Sequence, residues 1–164
     1  MVRPCRFASN PQTAATNSFQ GLATAPDEET AQLAAVAEFD GLVAALRAAG
    51  ITVVSVDDAP EPWTPDAIFP NNWFSTHADG RVVLYPMLAP NRRAERRHDI
   101  FTHLLPAAGF RVDRVVDLSA HEIHGGFLEG TGSLVLDRAQ RIAYGCRSSR
   151  THQEVADEFA RTLG

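Results

Sequence analysis

Apolar residues recur every three or four positions in a long stretch near the start of the chain, between Asp27 and Ala49. This spacing predicts an amphipathic helix over residues 27–49. Acidic residues fill its first turn, where they favour the positive end of the helix dipole, and Gly50 is suited to a left-handed cap. A buried strand is predicted directly after it, over residues 51–56. The apolar face consists of Val36, Phe39, Leu42, Val43 and Leu46.

Two later stretches show the pattern of a hairpin followed by a helix. The first hairpin is predicted over residues 73–85, with its turn at 78–80. A helix that begins near Asn91, as N-cap, and ends at Gly109 comes next, followed by a strand over residues 110–116. The second hairpin is predicted over residues 133–145, and its helix runs from about His152 to Leu163.

A weak internal repeat connects these segments. "LRAAG-ITVV" and "LPAAG-FRVDRVV" each combine a helix end, a glycine and a strand, and the third copy, "ARTLG", reaches Gly164. Repeated units bury their apolar faces against their neighbours, so a strand is expected after the third copy too. The pattern predicts one partial domain over residues 1–164, truncated at its C-terminus. A second chain or a homo-oligomer that covers the open edge is a further expectation. The alternative is that a terminal helix simply ends the domain.

Composition narrows the class of protein. The formal net charge is −5 over 164 residues, which argues against nucleic acid or an anionic membrane as the main partner. No apolar run approaches the roughly 20 residues that span a bilayer, and the first residues do not resemble a signal peptide. The two cysteines, Cys5 and Cys146, do not form a disulfide framework. We therefore expect a cytoplasmic protein.

Four segments resemble one enzyme family. They are "MVRP" with the later "NSFQ", then "PDAIFPNNWFSTH" with "LYPMLAPNRRAERR", then "FLEGTGSLVLDR", and finally "YGCRSSRTH". Together they are similar to the guanidino-group-modifying superfamily, which contains the amidinotransferases and arginine deiminases. Within it they look most like the citrulline-utilisation hydrolases, which are arginine-deiminase-related proteins. The resemblance runs over essentially the whole chain.

The resemblance implies an α/β fold, a five-bladed β/α propeller, of which this chain would supply about three ββαβ units with the last incomplete. It implies that a cysteine thiolate attacks the planar carbon of a guanidinium or ureido group and forms a covalent intermediate. The family's histidine and cysteine would lie beyond Gly164. The chain is thus expected to be the N-terminal portion of a C–N hydrolase acting on a citrulline-type or arginine-type amino acid, with no cofactor. The alternatives are a non-catalytic amino-acid-binding fragment and an inactive remnant.

Glu129 is the predicted catalytic residue. It matches the acid of the family's Glu-Gly-Gly-Asp-like segment, and carboxylates suit a planar C–N group because they accept paired hydrogen bonds. The alternative is an ordinary loop glutamate. Many relatives carry an aspartate where this chain has Thr131-Gly132, and its loss puts the charge of the substrate in doubt.

Asp66 and Asn72 are predicted to bind the substrate. Relatives that act on guanidinium often have an Arg-Asp pair at the position of Asn71-Asn72. An asparagine amide offers both a donor and an acceptor, as a neutral ureido group does, so Asn72 favours a citrulline-type substrate. Asp66 is then the charged partner of the substrate. The alternative for the Pro-Asn-Asn sequence is a turn.

Arg150 and His124 complete the predicted set. Arg150 lies in a segment similar to the family's Ser-x-Arg-Thr, where the arginine clamps an α-carboxylate as a two-bond fork. A solvated arginine before a helix, with Thr151 as N-cap, is the alternative. His124 is predicted to line the pocket. The spacing of His121, Glu122 and His124 suggests a metal pair, but its loop context argues against one, so no metal is predicted.

Two other features carry weaker hypotheses. Cys146 lies near Arg147 and Arg150, which would lower its pKa, yet the family's nucleophile is not at this position. The arginines of the second predicted helix suggest either a phosphate site or, as we expect, a solvated face with local ion pairs. They are Arg92, Arg93, Arg96 and Arg97.

Overall fold

A computed structural model describes residues 1–17 and 27–164 of the chain. It divides into two compact units, Met1–Pro70 and Asn71–Gly164, which we describe separately. Ser18, Phe19 and Gln20, from the first family segment, lie outside the described residues.

The first unit is built on one long helix. Its elements are β1 (Val2–Arg3), α1 (Pro11–Ala14), α2 (Glu28–Ala48) and β2 (Val56–Asp57), and β1 pairs in parallel with β2. The predicted helix is confirmed, because Asp27 caps it by accepting the Thr30 amide and Gly50 follows with φ +79°.

Two details of the first unit differ from the sequence prediction. Val43 is the one buried residue of α2, and Leu42 of the predicted apolar face is exposed. The predicted strand over residues 51–56 is reduced to β2, because β1 offers only a two-residue pairing partner.

The second unit opens with a three-stranded sheet. A 3₁₀ turn at Pro70–Asn72 precedes β3 (Phe74–Thr76) and β4 (Arg81–Leu84), which pair antiparallel as predicted. Gly80 makes the turn between them possible with φ +81°. β5 (Arg114–Asp117) pairs in parallel with β4, which therefore lies between two strands. The side chains of Val82, Val83 and Leu84 are fully buried.

The segment between β4 and β5 is not the continuous helix that the sequence predicts. It forms α3 (Pro90–Arg93), a π-helical turn (Ile100–Leu104) and α4 (Leu105–Ala107). Asn91 lies inside α3 rather than at its N-cap, which is Ala89. Pro106 is the physical reason for the π turn, because its ring cannot donate a hydrogen bond and crowds the preceding turn. The Leu105 amide accordingly bonds five residues back, to the Ile100 carbonyl.

A second hairpin and a helix complete this unit. A 3₁₀ helix (Ser119–His124) leads to α5 (Gly130–Ser133), and β6 (Leu134–Asp137) and β7 (Ile142–Gly145) pair antiparallel. α6 (Gln153–Leu163) follows as predicted, with Val155 and Phe159 buried. The alternative in which Thr151 caps this helix is wrong, because His152 holds the N-cap position.

One apolar cluster joins the sheet of β3–β5 to α6. The Tyr85 and Phe159 ring centroids lie 5.7 Å apart in it. Its fully or largely buried members are Val83, Tyr85, Val116, Leu118, Leu128, Leu134, Val155 and Phe159. The class is mixed α/β with several small sheets, as the sequence predicts. Within residues 1–17 and 27–164, no helix combines the length and apolar character that crossing a bilayer requires.

Candidate active site

Glu129 is buried at the start of the short helix α5, with 2% of its surface exposed. Its Oε1 atom accepts the Leu88 amide at 3.0 Å, and its own amide donates to Ser133 Oγ at 2.9 Å. Its carbonyl accepts the amides of Gly132 and Ser133. The carboxylate is thus fixed by its backbone as well as by its side chain.

Arg150 places a positive charge near Glu129. Its Nη1 atom lies 3.7 Å from Glu129 Oε2. The Ser133 hydroxyl donates to the Arg150 carbonyl at 2.8 Å and accepts from the Glu129 amide. Ser133 therefore connects the backbone of Glu129 with that of Arg150. Arg150 is partly exposed whereas Glu129 is not. A positive charge at this distance reduces the cost of burying the carboxylate.

The glycines that follow Glu129 allow close packing against the Asn71-Asn72 backbone. Gly130 has φ +43°, and a Cβ atom there would lie 2.5 Å from the Asn71 carbonyl oxygen and 2.9 Å from that of Asn72. A Cβ atom on Gly132 would lie 2.8 Å from Asn72 Nδ2. Only glycine meets both the conformation and the space at position 130. The "LEGTGS" sequence therefore brings Glu129 and Asn72 into one neighbourhood.

The two asparagines hold this loop from the other side. Asn71 Nδ2 donates to Thr131 Oγ1 at 2.8 Å, and the Thr131 hydroxyl donates to the Asn71 carbonyl at 3.3 Å. Asn72 Oδ1 accepts from Arg92 Nη1 at 2.9 Å. The acceptor end of the Asn72 amide is therefore engaged within the protein, and its Nδ2 donor end faces Gly132.

Arg92 and Glu95 form a buried ion pair beside Asn72. Two parallel bonds of 2.9 Å join Nε to Oε1 and Nη2 to Oε2, and both residues are about as buried as Glu129. The predicted solvated face is therefore wrong for Arg92. Burial of the arginine was not visible in the sequence, although its i,i+3 spacing from an acid was. A fork of this kind fixes the direction of Arg92 toward Asn72.

Glu122, which the sequence analysis did not select as a site residue, anchors the segment after β4. Its Oε1 atom accepts the Met87 amide at 2.7 Å and contacts Arg96. Arg93 donates to the Met87 and Leu88 carbonyls. The amides of two successive residues thus donate to two different carboxylates, Met87 to Glu122 and Leu88 to Glu129. This anchoring fixes the backbone group that orients Glu129.

A hydrogen-bonded chain of side chains runs through the neighbouring sheet. Ser75 Oγ lies 2.9 Å from His77 Nε2 and 2.7 Å from the Tyr85 hydroxyl. Burial raises the pKa of Tyr85 to about 12. Burial, together with the nearby Arg138 guanidinium, lowers the pKa of His77 below its ordinary value. Both groups are therefore neutral at pH 7.

Asp66 lies in the first unit and is buried there. Its Oδ2 atom accepts from Asn10 Nδ2 at 2.7 Å and from the Thr13 hydroxyl at 3.3 Å. Asn10 in turn caps α1 by accepting the Gln12 amide. Asp66 is thus part of a buried polar cluster of its own unit, and its binding role stays a prediction.

The histidines and cysteines that the sequence singled out are on the surface or paired locally. His124 is exposed at the end of its 3₁₀ helix, and its role as a pocket residue stays a prediction. His121 Nε2 lies 2.8 Å from Glu158 Oε2. In the described ranges no three His, Cys, Asp or Glu side chains converge as metal ligands would. Cys5 and Cys146 are both free and exposed.

Solved structures with the same fold come from guanidino-modifying enzymes. The N-terminal domain of ArgZ, an arginine dihydrolase from the ornithine-ammonia cycle in cyanobacteria, was solved with its substrate in a cysteine-to-serine variant. It shares 21% identity over 99% of this chain, with a TM-score of 0.67. AgrE, in a ternary complex with ornithine and NAD+, shares 23% identity over 94% of this chain and 20% of its own, with a TM-score of 0.63.

A third structure is a histidine-to-glycine variant of dimethylarginine dimethylaminohydrolase in an adduct with S-methyl-L-thiocitrulline. It is 16% identical over 96% of this chain and 54% of its own, with a TM-score of 0.60. At such identities the likeness shows the fold alone. This chain spans about half the length of the ArgZ domain, 53%. A search of curated proteins finds no match.

The sequence itself identifies the family. The family model described as N,N dimethylarginine dimethylhydrolase, eukaryotic, matches residues 3–164, which is almost the whole chain and includes Asn72, Glu129 and Arg150. The family model and the resemblance of the four sequence segments agree on the superfamily. The chain belongs to the dimethylarginine dimethylhydrolase family of the guanidino-group-modifying superfamily.

Proposed function

We propose that this chain supplies the substrate-holding part of a hydrolase that cleaves a C–N bond in the guanidino or ureido group of an amino acid. The observation that carries the proposal is the pairing of buried Glu129 with Arg150 at 3.7 Å beside Asn72. An amino acid of this class carries a planar group with N–H donors at one end and a carboxylate at the other. The Glu129 carboxylate can accept hydrogen bonds from the N–H donors, and the Arg150 guanidinium can bind the carboxylate of the amino acid.

The geometry supports a division of roles between the two side chains. Glu129 is fixed by the Leu88 amide, so its carboxylate is preorganised to accept N–H bonds. Arg150 is long and partly exposed, so its guanidinium is able to turn from Glu129 to a ligand carboxylate. Glu129 is the catalytic residue of the proposal because it touches the reacting group, whereas Arg150 binds the unreactive end.

Asn72 favours a ureido substrate of the citrulline type. Its Oδ1 acceptor already bonds to Arg92, which leaves Nδ2 as a donor. A ureido carbonyl accepts such a bond, whereas a guanidinium has donors only. Arginine and dimethylated arginine, which carry a guanidinium group, are therefore expected to bind more weakly than citrulline. Asp66 and His124 are proposed as additional contacts to the substrate.

We propose that the covalent chemistry needs groups outside this sequence. A thiolate forms a bond to the planar carbon, the C–N bond breaks, and the leaving amine takes up a proton. Water then releases the amino-acid product and regenerates the thiol. The cysteine and the histidine for these steps would come from polypeptide that completes a five-bladed β/α propeller, in which residues 1–164 form one partial catalytic domain. With two free, exposed cysteines, we expect this reaction in the cytoplasm.

Binding measured by isothermal titration calorimetry on the chain itself tests the proposal. Citrulline is expected to bind more tightly than arginine or N,N-dimethylarginine. Glu129→Gln and Arg150→Met should each weaken citrulline binding at least tenfold, since each removes a charge-assisted bond. Glu154→Gln is the matched control, because Glu154 is an exposed glutamate on α6. Equal binding by wild type and Glu129→Gln would remove Glu129 from the site. Tighter binding of arginine would overturn the assignment of the ureido substrate.

A further inference from the structure

The carboxylate that the proposed function needs is buried, and a more exposed side chain of the protein already contacts it. The Glu129 side chain is 3% exposed, whereas that of Arg150, whose Nη1 atom lies 3.7 Å from Glu129 Oε2, is 30% exposed. The other carboxylate oxygen, Oε1, accepts the Leu88 amide. An N–H donor of a ligand that approaches Oε2 therefore meets the Arg150 guanidinium.

The backbone keeps these two side chains together. Leu128 and Thr151, which adjoin them in sequence, form an antiparallel bridge, so positions 129 and 150 face each other. Facing positions of an antiparallel pair hold their side chains close together. The Ser148 hydroxyl also accepts the Arg150 amide at 3.2 Å. The approach of Arg150 to Glu129 is therefore determined by fixed backbone, while the long arginine side chain stays partly in solvent.

Arg150 offers Glu129 the same kind of group that a guanidino substrate would offer. A guanidinium is planar, positively charged and has N–H donors only. A carboxylate accepts these donors whether the guanidinium belongs to a ligand or to the protein. The contact distance of 3.7 Å exceeds the roughly 2.7–2.9 Å of a direct charge-assisted hydrogen bond. The contact therefore competes with a ligand, and a ligand that binds more closely can displace it.

We propose that Arg150 is an internal competitor for Glu129, which a ligand displaces readily only if it carries a carboxylate that draws the guanidinium away. This inference rests on the proposed function, in which Arg150 binds the α-carboxylate of an amino acid. One end of the ligand then removes the obstacle to the other end, so the two ends bind cooperatively. Arg150 determines specificity by excluding the wrong ligand as well as by binding the right one.

Coupling between two half-ligands tests the competition in the unmodified chain. Methylguanidinium and N-methylurea represent the planar end of a substrate, and glycine represents the α-amino-acid end. Saturating glycine should tighten the binding of both planar probes at least fivefold in nuclear magnetic resonance titrations, because glycine holds Arg150 away from Glu129. Two independent subsites would give the same probe affinities with and without glycine, and that result would overturn the inference.

Arg150→Met removes the competitor and the carboxylate clamp together, so its effect depends on the ligand. Both planar probes should bind at least fivefold more tightly to this variant than to wild type, whereas citrulline should bind more weakly. Glycine should no longer change the affinity for either probe. Adding Glu129→Gln to Arg150→Met should abolish the gain. Arg147→Met, at an exposed arginine of the same segment, is the matched control and should bind the probes as wild type does.

The outcomes separate this inference from the proposed function. Weaker citrulline binding without a gain for the probes would leave Arg150 as a clamp alone and overturn the competition. Failure of wild type to bind citrulline would contradict the proposed function, and the probes would still decide whether Arg150 competes for Glu129. Failure of every variant to bind the probes would also overturn the inference, because Glu129 would be inaccessible without Arg150. Far-ultraviolet circular dichroism checks that Arg150→Met is folded, and the glycine experiment on wild type decides the question if it is not.

Discussion

β4 and β7 are both the second strand of a hairpin that precedes helical structure, yet one is buried and the other is exposed. β4 lies between β3 and β5, and its apolar side chains are excluded from solvent. Among the residues that the structure describes, β7 pairs with β6 alone, and Ile142 and Tyr144 are exposed. The sequence pattern alone does not distinguish the two strands, since it predicts each as the second strand of a hairpin. The difference teaches that burial here depends on whether a third strand is present.

Polar groups show the same contrast. The region after β4 holds Arg92, Glu95, Glu122 and Glu129 in ion pairs and hydrogen bonds to the backbone. Around β7, the arginines of the turn lie at the surface. Removing one partner of an ion pair is therefore expected to lower the free energy of unfolding strongly near β4 and little near β7. The reason is that an unpaired charge is strongly destabilising only where it is buried from water.

The largest effect is expected from breaking the buried ion pair. Arg92→Met should lower the free energy of unfolding by about 3–5 kcal/mol, because Glu95 is left as a buried charge without its fork. Arg97→Met, which breaks a more exposed pair with Asp99, should cost about 0–1 kcal/mol. Urea denaturation of both variants measures the difference. A similar cost for the two would show that Glu95 is solvated in solution.

The glycine at the site is the next most sensitive position. Gly130→Ala should destabilise by about 3 kcal/mol, since strain at positive φ adds to a clash with two backbone carbonyls. At Gly125 the backbone is also strained for alanine, with φ +70°, but an added Cβ atom would have no neighbour within 4 Å. Gly125→Ala should therefore lower the free energy of unfolding by only about 1 kcal/mol. Thermal and urea unfolding compare the pair. If Gly130→Ala is no worse than Gly125→Ala, the loop does not pack on Asn71-Asn72 as described.

Matched valines test the contrast between the two sheets directly. Val83→Ala removes two methyl groups from the buried core and should cost about 2 kcal/mol. Val135→Ala, on the exposed face of β6, should change stability by less than about 0.5 kcal/mol. Equal costs in the free chain would mean that the β6–β7 face is already covered.

The smallest effect concerns pH. His77 has a folded pKa below the ordinary 6.5, from burial first and from Arg138 second. Between the folded pKa and 6.5 the unfolded chain binds more protons than the folded chain, so stability is lost as pH falls through this range. His77→Gln should flatten the dependence of the urea midpoint on pH below 6.5. A pH dependence that survives His77→Gln would assign the titration to another group.

Local signals in the sequence were sufficient for much of the fold. Asp27 and Gly50 mark the ends of the long helix, and Gly80 marks a hairpin turn, because capping and positive φ are decided by nearby residues. Pro106 was the signal for the interrupted second helix, and a proline inside a helical pattern argues against a continuous helix. The length of β2 was not predictable, since it is set by a partner strand far along the chain.

The candidate site was only partly visible in the sequence. Glu129 and Arg150 were found through motif resemblance, and the structure places them next to each other. Arg92 and Glu122 were missed as elements of the site, because their burial depends on contacts with Asn72 and with the Met87 amide. Tertiary contacts of this kind leave no periodic trace, so a charged cluster looks like a solvated helix face.

Turnover by the chain alone tests the central claim most directly. The purified chain is incubated with citrulline, arginine and N,N-dimethylarginine, and ammonia and dimethylamine are measured. No release above the buffer control is predicted, even where calorimetry detects binding through Glu129. Release that disappears in a Cys146→Ser variant would contradict the account, because the nucleophile would then lie within these 164 residues.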